Sequence, residues 1–228
     1  MTRGLFVTGT DTGVGKTRIA TALLRARAAG GVRAAGIKPV AAGIAAGTDI
    51  NADVAALAAA DGLPLARADR NPYAFAEGIA PHLAARDAGV TIDLAPIAAA
   101  WRNAAAMADV IVVEGAGGVV VPLAPRLDML DIPLRLRLPA LLVVGIRLGC
   151  LNHALLSARA LRERGVRCAG WVANRIDPVM PRAEDNIAEL VRLLDAPMLA
   201  DVQWNASPCF GPDALRLLGL VGAVGPRG

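Results

Sequence analysis

The chain has 228 residues, enough for one domain or a tight pair, and long enough to bury a core without a disulfide or structural metal. Charged residues at 19% and hydrophobic residues at 55% exclude disorder as the dominant state, and the 3% aromatic content excludes a nucleic-acid reader built on stacking platforms. The net charge of +4 comes from singly scattered arginines with no run of five like charges, a pattern that reads as a solvated surface able to collect small anions.

In chain order, apolar runs alternate with helical patterns. Gly4 to Thr8 reads as a buried strand, Lys16 to Ala29 as a helix stopped by Gly30 and Gly31, and Val32 to Lys38 as a strand ended by Pro39. Asn51 to Ala60 reads as a helix, Pro72 to Gly89 as loop, and Asp93 to Met107 as a helix. Asp109 to Val113 is the strongest central strand, and Leu127 to Leu138 is a weak helix. Strands are expected over Leu141–Val144, Ala169–Ala173 and Met198–Val202, with helices over Asn152–Arg164, Arg182–Leu194 and Pro212–Gly222. No internal repeat or low-complexity linker interrupts the chain, so residues 1–228 are expected to form a single domain. Strand–helix alternation implies an α/β fold: a mainly parallel sheet with helices on both faces and the ligand site at the carboxyl edge of the strands.

Cys150, Cys168 and Cys209 are odd in number and form no Cys-x-x-Cys pair, which argues against a disulfide framework or zinc site and fits a reducing cytoplasm. The amino-terminal segment enters a strand at once, with no signal-peptide pattern, and no apolar stretch reaches the ~18 residues of a membrane span. The only histidines, His82 and His153, lack a partner at metal-ligand spacing.

Three segments carry chemistry. Gly9 to Thr17 follows a strand and opens a helix, the setting of a phosphate loop, although Thr10 stands where the first glycine is usual. Backbone amides of Gly13, Val14, Gly15, Lys16 and Thr17 can cradle phosphate, Lys16 can reach the outer phosphates, and the Thr17 hydroxyl can hold Mg²⁺. This makes the expected fold P-loop NTPase-type. Glu114 closes the central strand where such folds place a magnesium carboxylate, and the glycines from Gly115 to Gly118 let backbone approach a ligand. Lys38 ends the second strand on the same edge. Of 24 basic residues only Lys16 and Lys38 are lysine, which suggests that both sites need a compact ammonium. Asp53, near a helix start, is either a cap or a second Mg²⁺ ligand, and on chemistry alone the cap is the better reading. Asn174 and Arg175 leave a strand in an approximate base-reading motif, although a plain turn explains Asn174 to Asp177 equally well.

Together these segments, with Gly36 to Val40, Asn71 to Tyr73, Phe75 to Glu77, Pro81-His82, Val113 to Gly118, Leu148 to Ala154 and Ala169 to Asn174, resemble the dethiobiotin synthetase family over nearly the full chain. The resemblance implies a homodimeric enzyme that converts 7,8-diaminononanoate, CO₂ and ATP to dethiobiotin, ADP and phosphate. It makes Lys16 and Lys38 the catalytic cations and gives Mg²⁺ to Thr17, Asp53 and Glu114. ATP would meet Gly13 to Arg18, Asp53, Glu114, Gly115, Ala116 and Gly117, with Asn174, Arg175, Gln203, Trp204 and Asn205 at the base. The diamine would meet Thr12, Lys38, Ala42, Gly117 and Gly118. Cys150, Leu151 and Asn152 of the other subunit would receive its carboxylate, with Asn152 as the helix N-cap. Ala42, Arg175 and Gln203 depart from the residues common in that family. The alternative is an ATP-switched ATPase of the partition or septum-site type, which carries a lysine where Asp11 stands and acts on DNA or membrane.

Overall fold

The computed structural model describes residues 3–220. In chain order they form β1 (Arg3–Gly9), α1 (Lys16–Ala29), β2 (Ala34–Ile37), β3 (Val40–Ala42), α2 (Ala52–Asp61), α3 (Arg67–Arg70), β4 (Tyr73–Phe75), α4 (Pro81–Asp87) and α5 (Leu94–Met107). There follow β5 (Val110–Glu114), β6 (Pro122–Ala124), β7 (Leu127–Asp128), α6 (Asp131–Leu136), β8 (Ala140–Ile146), α7 (Cys150–Glu163), β9 (Cys168–Arg175), α8 (Ala183–Leu193), β10 (Met198–Val202) and α9 (Pro212–Leu217).

Six strands make one sheet in the order β10-β9-β8-β1-β5-β2, every pairing parallel. The reason lies in the strand sequences. β5 is Val-Ile-Val-Val before its acid and is buried throughout, as a strand covered on both faces must be. Its residues alternate: Ile111 and Val113 pack under α4 to α8, while Val110 and Val112 pack under α1, α2 and α9. Two small sheets, β3 with β4 and β6 with β7, flank the carboxyl edge.

Several expectations need correction. The segment 72–89 contains β4 and α4, because Pro81 occupies the first helical turn, where a missing N–H costs nothing, and starts a helix. The weak helix expected over 127–138 is confined to α6, with Leu127–Asp128 paired to β6 instead. α7 begins at Cys150 and its N-cap is Gly149, at φ 92°, so Asn152 lies inside the helix and is not its cap. The expected terminal helix ends at Leu217, and residues 221 and 222 lie outside the described range.

A buried ion pair braces the β2 side. Arg70 donates to Asp61 at 2.5 and 3.1 Å, to the Gly36 carbonyl at 2.8 Å and to the Leu63 carbonyl at 3.1 Å. Asp61 also accepts from the Gly36 amide at 2.7 Å. With both side chains out of water, removing one partner strands the other. Asp61→Leu is therefore expected to cost about 3–5 kcal/mol in urea unfolding, and Asp61→Leu with Arg70→Met markedly less. Equal losses in single and double variants would contradict this account.

Candidate functional site

α1 begins without a side-chain cap and without an acidic residue in its first turn. Its leading amides therefore face the loop with no intrahelical acceptor, a ready anion cradle. Gly15, the N-cap, sits at φ 93°, and a Cβ there would lie 2.3 Å from the Asn174 amide nitrogen. Only glycine meets both conditions. Asn174, fully buried, donates to the Val14 carbonyl at 2.7 Å and so ties the loop to the end of β9.

The loop opens on a cleft of about 880 Å³. Asp11, Thr12, Gly13, Gly15 to Arg18, Lys38, Ala42, Asp53, Glu114 and Ala116 to Gly118 line it. Gly78 to Pro81 and Val121 complete the wall. The segment 78–81 was not legible as a site element, although the proline after Gly78-Ile79-Ala80 marks a helix start.

Two lysines, two carboxylates and a hydroxyl meet at the base. Lys38 Nζ donates to Glu114 Oε1 at 2.6 Å and to Asp53 Oδ2 at 2.7 Å. Thr17 Oγ1 donates to the same Glu114 oxygen at 2.7 Å. Lys16 Nζ donates to the carbonyls of Gly117 at 2.6 Å and Asp11 at 2.9 Å. Burial disfavours the Lys38 charge, yet Glu114 and Asp53 outweigh it and hold its pKa above the ordinary lysine value. Lys16 has no carboxylate in direct contact; burial, with Lys38 adding repulsion, lowers its pKa to about 8. Burial of Asp53 is likewise outweighed, chiefly by Lys38, and its carboxyl stays below its usual range.

Asp53 is not the α2 cap. Asn51 is: its side chain accepts from the Asp53 amide at 3.0 Å, which leaves the Asp53 carboxylate free to face Lys38. Glu114 Oε2 is buried and has no partner. Two carboxylate oxygens and a hydroxyl suit a hard cation that keeps waters and takes phosphate oxygens. No group of three His, Cys, Asp or Glu side chains fit for a metal exists among the described residues, so an all-protein cage is absent there.

The expected base-site residues also gather at this edge. Arg18 donates to the Ala206 carbonyl and, at 3.4 Å, to Asn174, drawing the loop holding Gln203, Trp204 and Asn205 beside α1. Arg175 is held by Asp201 at 2.8 and 2.9 Å and by Glu184 at 2.6 Å. Cys150, Leu151 and Asn152 form the first turn of α7 on the same edge but do not line the cleft. Arg147, which sequence reasoning missed, pairs with Asp11 at 2.5 Å.

A parallel sheet with a phosphate loop after its first strand and an acid at the end of the adjacent strand is the architecture of P-loop nucleotide-dependent enzymes. A family model described as an AAA domain matches residues 3–208. The ATP-dependent dethiobiotin synthetase BioD of Aromatoleum aromaticum is 48% identical over 221 residues, covering 95% of this chain and 98% of that protein. The protein of the same name from Nitrosospira multiformis is 51% identical over 205 residues, covering 90% of each. Among solved structures, the septum site-determining protein MinD from Pyrococcus horikoshii aligns with TM-score 0.55 at 18% identity, over 89% of this chain and 82% of that one. A ParA family ATPase from Chlorobium tepidum aligns with TM-score 0.54 at 16% identity, over 96% and 90%. At such identities these two share the fold alone. The chain belongs to the family of ATP-dependent dethiobiotin synthetases.

The Lys16 environment has a measurable consequence. Below pH 8 folded and unfolded chains both hold its proton, and the folded state bears the full cost of burying the charge. Between about 8 and the unfolded value of 10.5 the unfolded chain binds more protons, so this contribution to stability improves as pH rises. Denaturant unfolding of wild type and Lys16→Met is expected to show wild type gaining about 2 kcal/mol on the variant from pH 7 to 10. A difference that does not change with pH would show that Lys16 is not strained.

Proposed function

We propose that the chain carboxylates 7,8-diaminononanoate with CO₂ and closes the ring to dethiobiotin at the expense of ATP, releasing ADP and phosphate. The observation that carries this reading is the convergence of two buried lysines and a buried glutamate on the cleft at the phosphate loop. Residues 1–228 act as one domain in the cytoplasm. Among the described residues no helix is long and apolar enough to cross a membrane.

In this reading the amides of Gly13 to Thr17 hold the phosphates and Lys16 keeps its proton against them. Thr17, Asp53 and Glu114 hold Mg²⁺, which when bound spreads the phosphate charge. Lys38 is held by the two carboxylates on the cleft that Thr12, Ala42, Gly117 and Gly118 also line, and there it would meet the diamine. One substrate amine takes up CO₂ as a carbamate, losing a proton. A carbamate oxygen attacks the γ-phosphorus and expels ADP. The second amine then attacks the carbamoyl carbon, losing a proton and expelling phosphate. Lys16 and Lys38 neutralise the two anions as they approach, so no protein nucleophile is required. Asn174, Arg175 and the loop of Gln203, Trp204 and Asn205 hold the base. Two subunits share each site, with the α7 start of one, from Cys150 to Asn152, receiving the carboxylate of a diamine bound at the other's phosphate loop. The exposure of Asn152, together with the placement of this turn outside its own cleft, supports that arrangement.

ATP turnover is expected to require both the diamine and bicarbonate; full turnover without them would discard the reading. Lys38→Arg is expected to lower kcat about 100-fold or more, because a planar guanidinium does not reproduce a point donor between two carboxylates. Near-wild-type turnover would mean that charge alone suffices.

Lys16→Ala and Asn152→Ala homodimers are each expected to be poor enzymes. After subunit exchange about half the dimers are mixed, with both defects in one site, so about a quarter of wild-type dethiobiotin formation should return. Activity fixed at the sum of the parents, with exchange verified by a mass label, would place each site within one subunit.

A further inference from the structure

A second cavity, of about 600 Å³, lies at the opposite end of the sheet, between the carboxyl ends of α7 and α8 and the starts of β8 and β9. Its size is within the roughly 300–1,000 Å³ typical of small-molecule sites. Leu142, Leu155, Val166 and Leu194 give it apolar walls. Arg159, Arg162 and Arg167 stand around it against one acid, Asp195. Arg162 pairs with Asp195 at 3.5 Å, whereas the guanidinium groups of Arg159 and Arg167 form no salt bridge among the described residues.

Trp171 also lines this cavity, fully buried, and its indole Nε1–H has no hydrogen-bond partner. That N–H has no accessible surface, so an occupant of the cavity does not reach it, and Trp171 serves as a wall and a reporter. The neighbouring Cys168 does not supply a nucleophile: burial raises its thiol pKa, and the thiol donates to the Gly170 carbonyl at 3.4 Å. The ligand class follows from these groups. Apolar walls call for a hydrocarbon body, and two unpaired arginines for an anionic head.

We propose that this cavity is a binding site, separate from the nucleotide cleft, for a medium-chain monocarboxylate. It sits at the start of strands whose far ends hold Arg147 and Asn174, so its occupant does not touch the phosphate loop.

The test is calorimetric titration of the full-length protein with sodium decanoate below its micellar concentration, with tryptophan emission recorded in parallel. One saturable site is expected, with an emission change that Trp171→Phe removes. Arg159→Ala with Arg167→Ala is expected to weaken binding at least tenfold while dethiobiotin formation is unchanged. Decanol, which lacks the charge, and inorganic phosphate, which lacks the chain, should each bind at least tenfold more weakly than decanoate. Should Trp171→Phe fail to fold, the arginine double variant decides the matter, since its changes lie on the surface. Absence of saturable binding, or equal affinity in the double variant, would overturn the proposal. So would decanoate binding only as the protein dissociates into subunits, which would make a second copy of the chain the natural cover of this cavity.

Discussion

The site depends on one carboxylate that has no contact with water. Glu114 ends an apolar strand, and its side chain is completely buried. A bare charge in that position would be intolerable, so its surroundings must answer it. Lys38 and Thr17 do so on one oxygen, and Asp53 in turn faces Lys38. The oxygen left over is the group that a hard cation would complete. Lys16, close by and without a direct acidic partner, is left as the less comfortable of the two cations.

These residues meet because the sheet is parallel. Each strand runs the same way, so Gly9, Ile37, Glu114, Ile146, Arg175 and Val202 all finish at one edge. The strands lead there into the working segments: the phosphate loop, Lys38, the glycines after Glu114, Arg147, and the stretch that meets Arg18. Long-range hydrogen bonds then fix the loops against one another, as when Asn174 holds the Val14 carbonyl across 160 positions.

That edge was largely legible in the sequence, because it depends on local pattern: a strand, glycines, a lysine, a helix. The bias of a chain with only two lysines singled out Lys38 as well. The features that escaped depend on geometry rather than pattern. Asn51 and Asp53 are both good caps, and only the backbone decides that Asn51 serves, freeing Asp53. Asn152 attracted the same reasoning, yet the left-handed Gly149 opens α7. β3 and β4, three residues each, are too short to show alternation, and Pro81 reads as a breaker until its place in the first turn of α4 is known. The Asp11–Arg147 and Asp61–Arg70 pairs join residues that no spacing rule connects.

The place of β1 bears on the order in which the protein can be assembled. It precedes the other strands of its sheet in the chain, yet it lies inside the sheet, with Gly4 beside Ile111 and Phe6 beside Ala140. A nascent chain therefore carries a strand of Leu, Phe and Val with neither neighbour available until more than a hundred further residues have left the ribosome. Pairing over such separations is slow, and a waiting apolar strand is open to other chains. The burden of this topology falls on the folding pathway: β1 waits unpaired until β5 and β8 exist, so the sheet closes late.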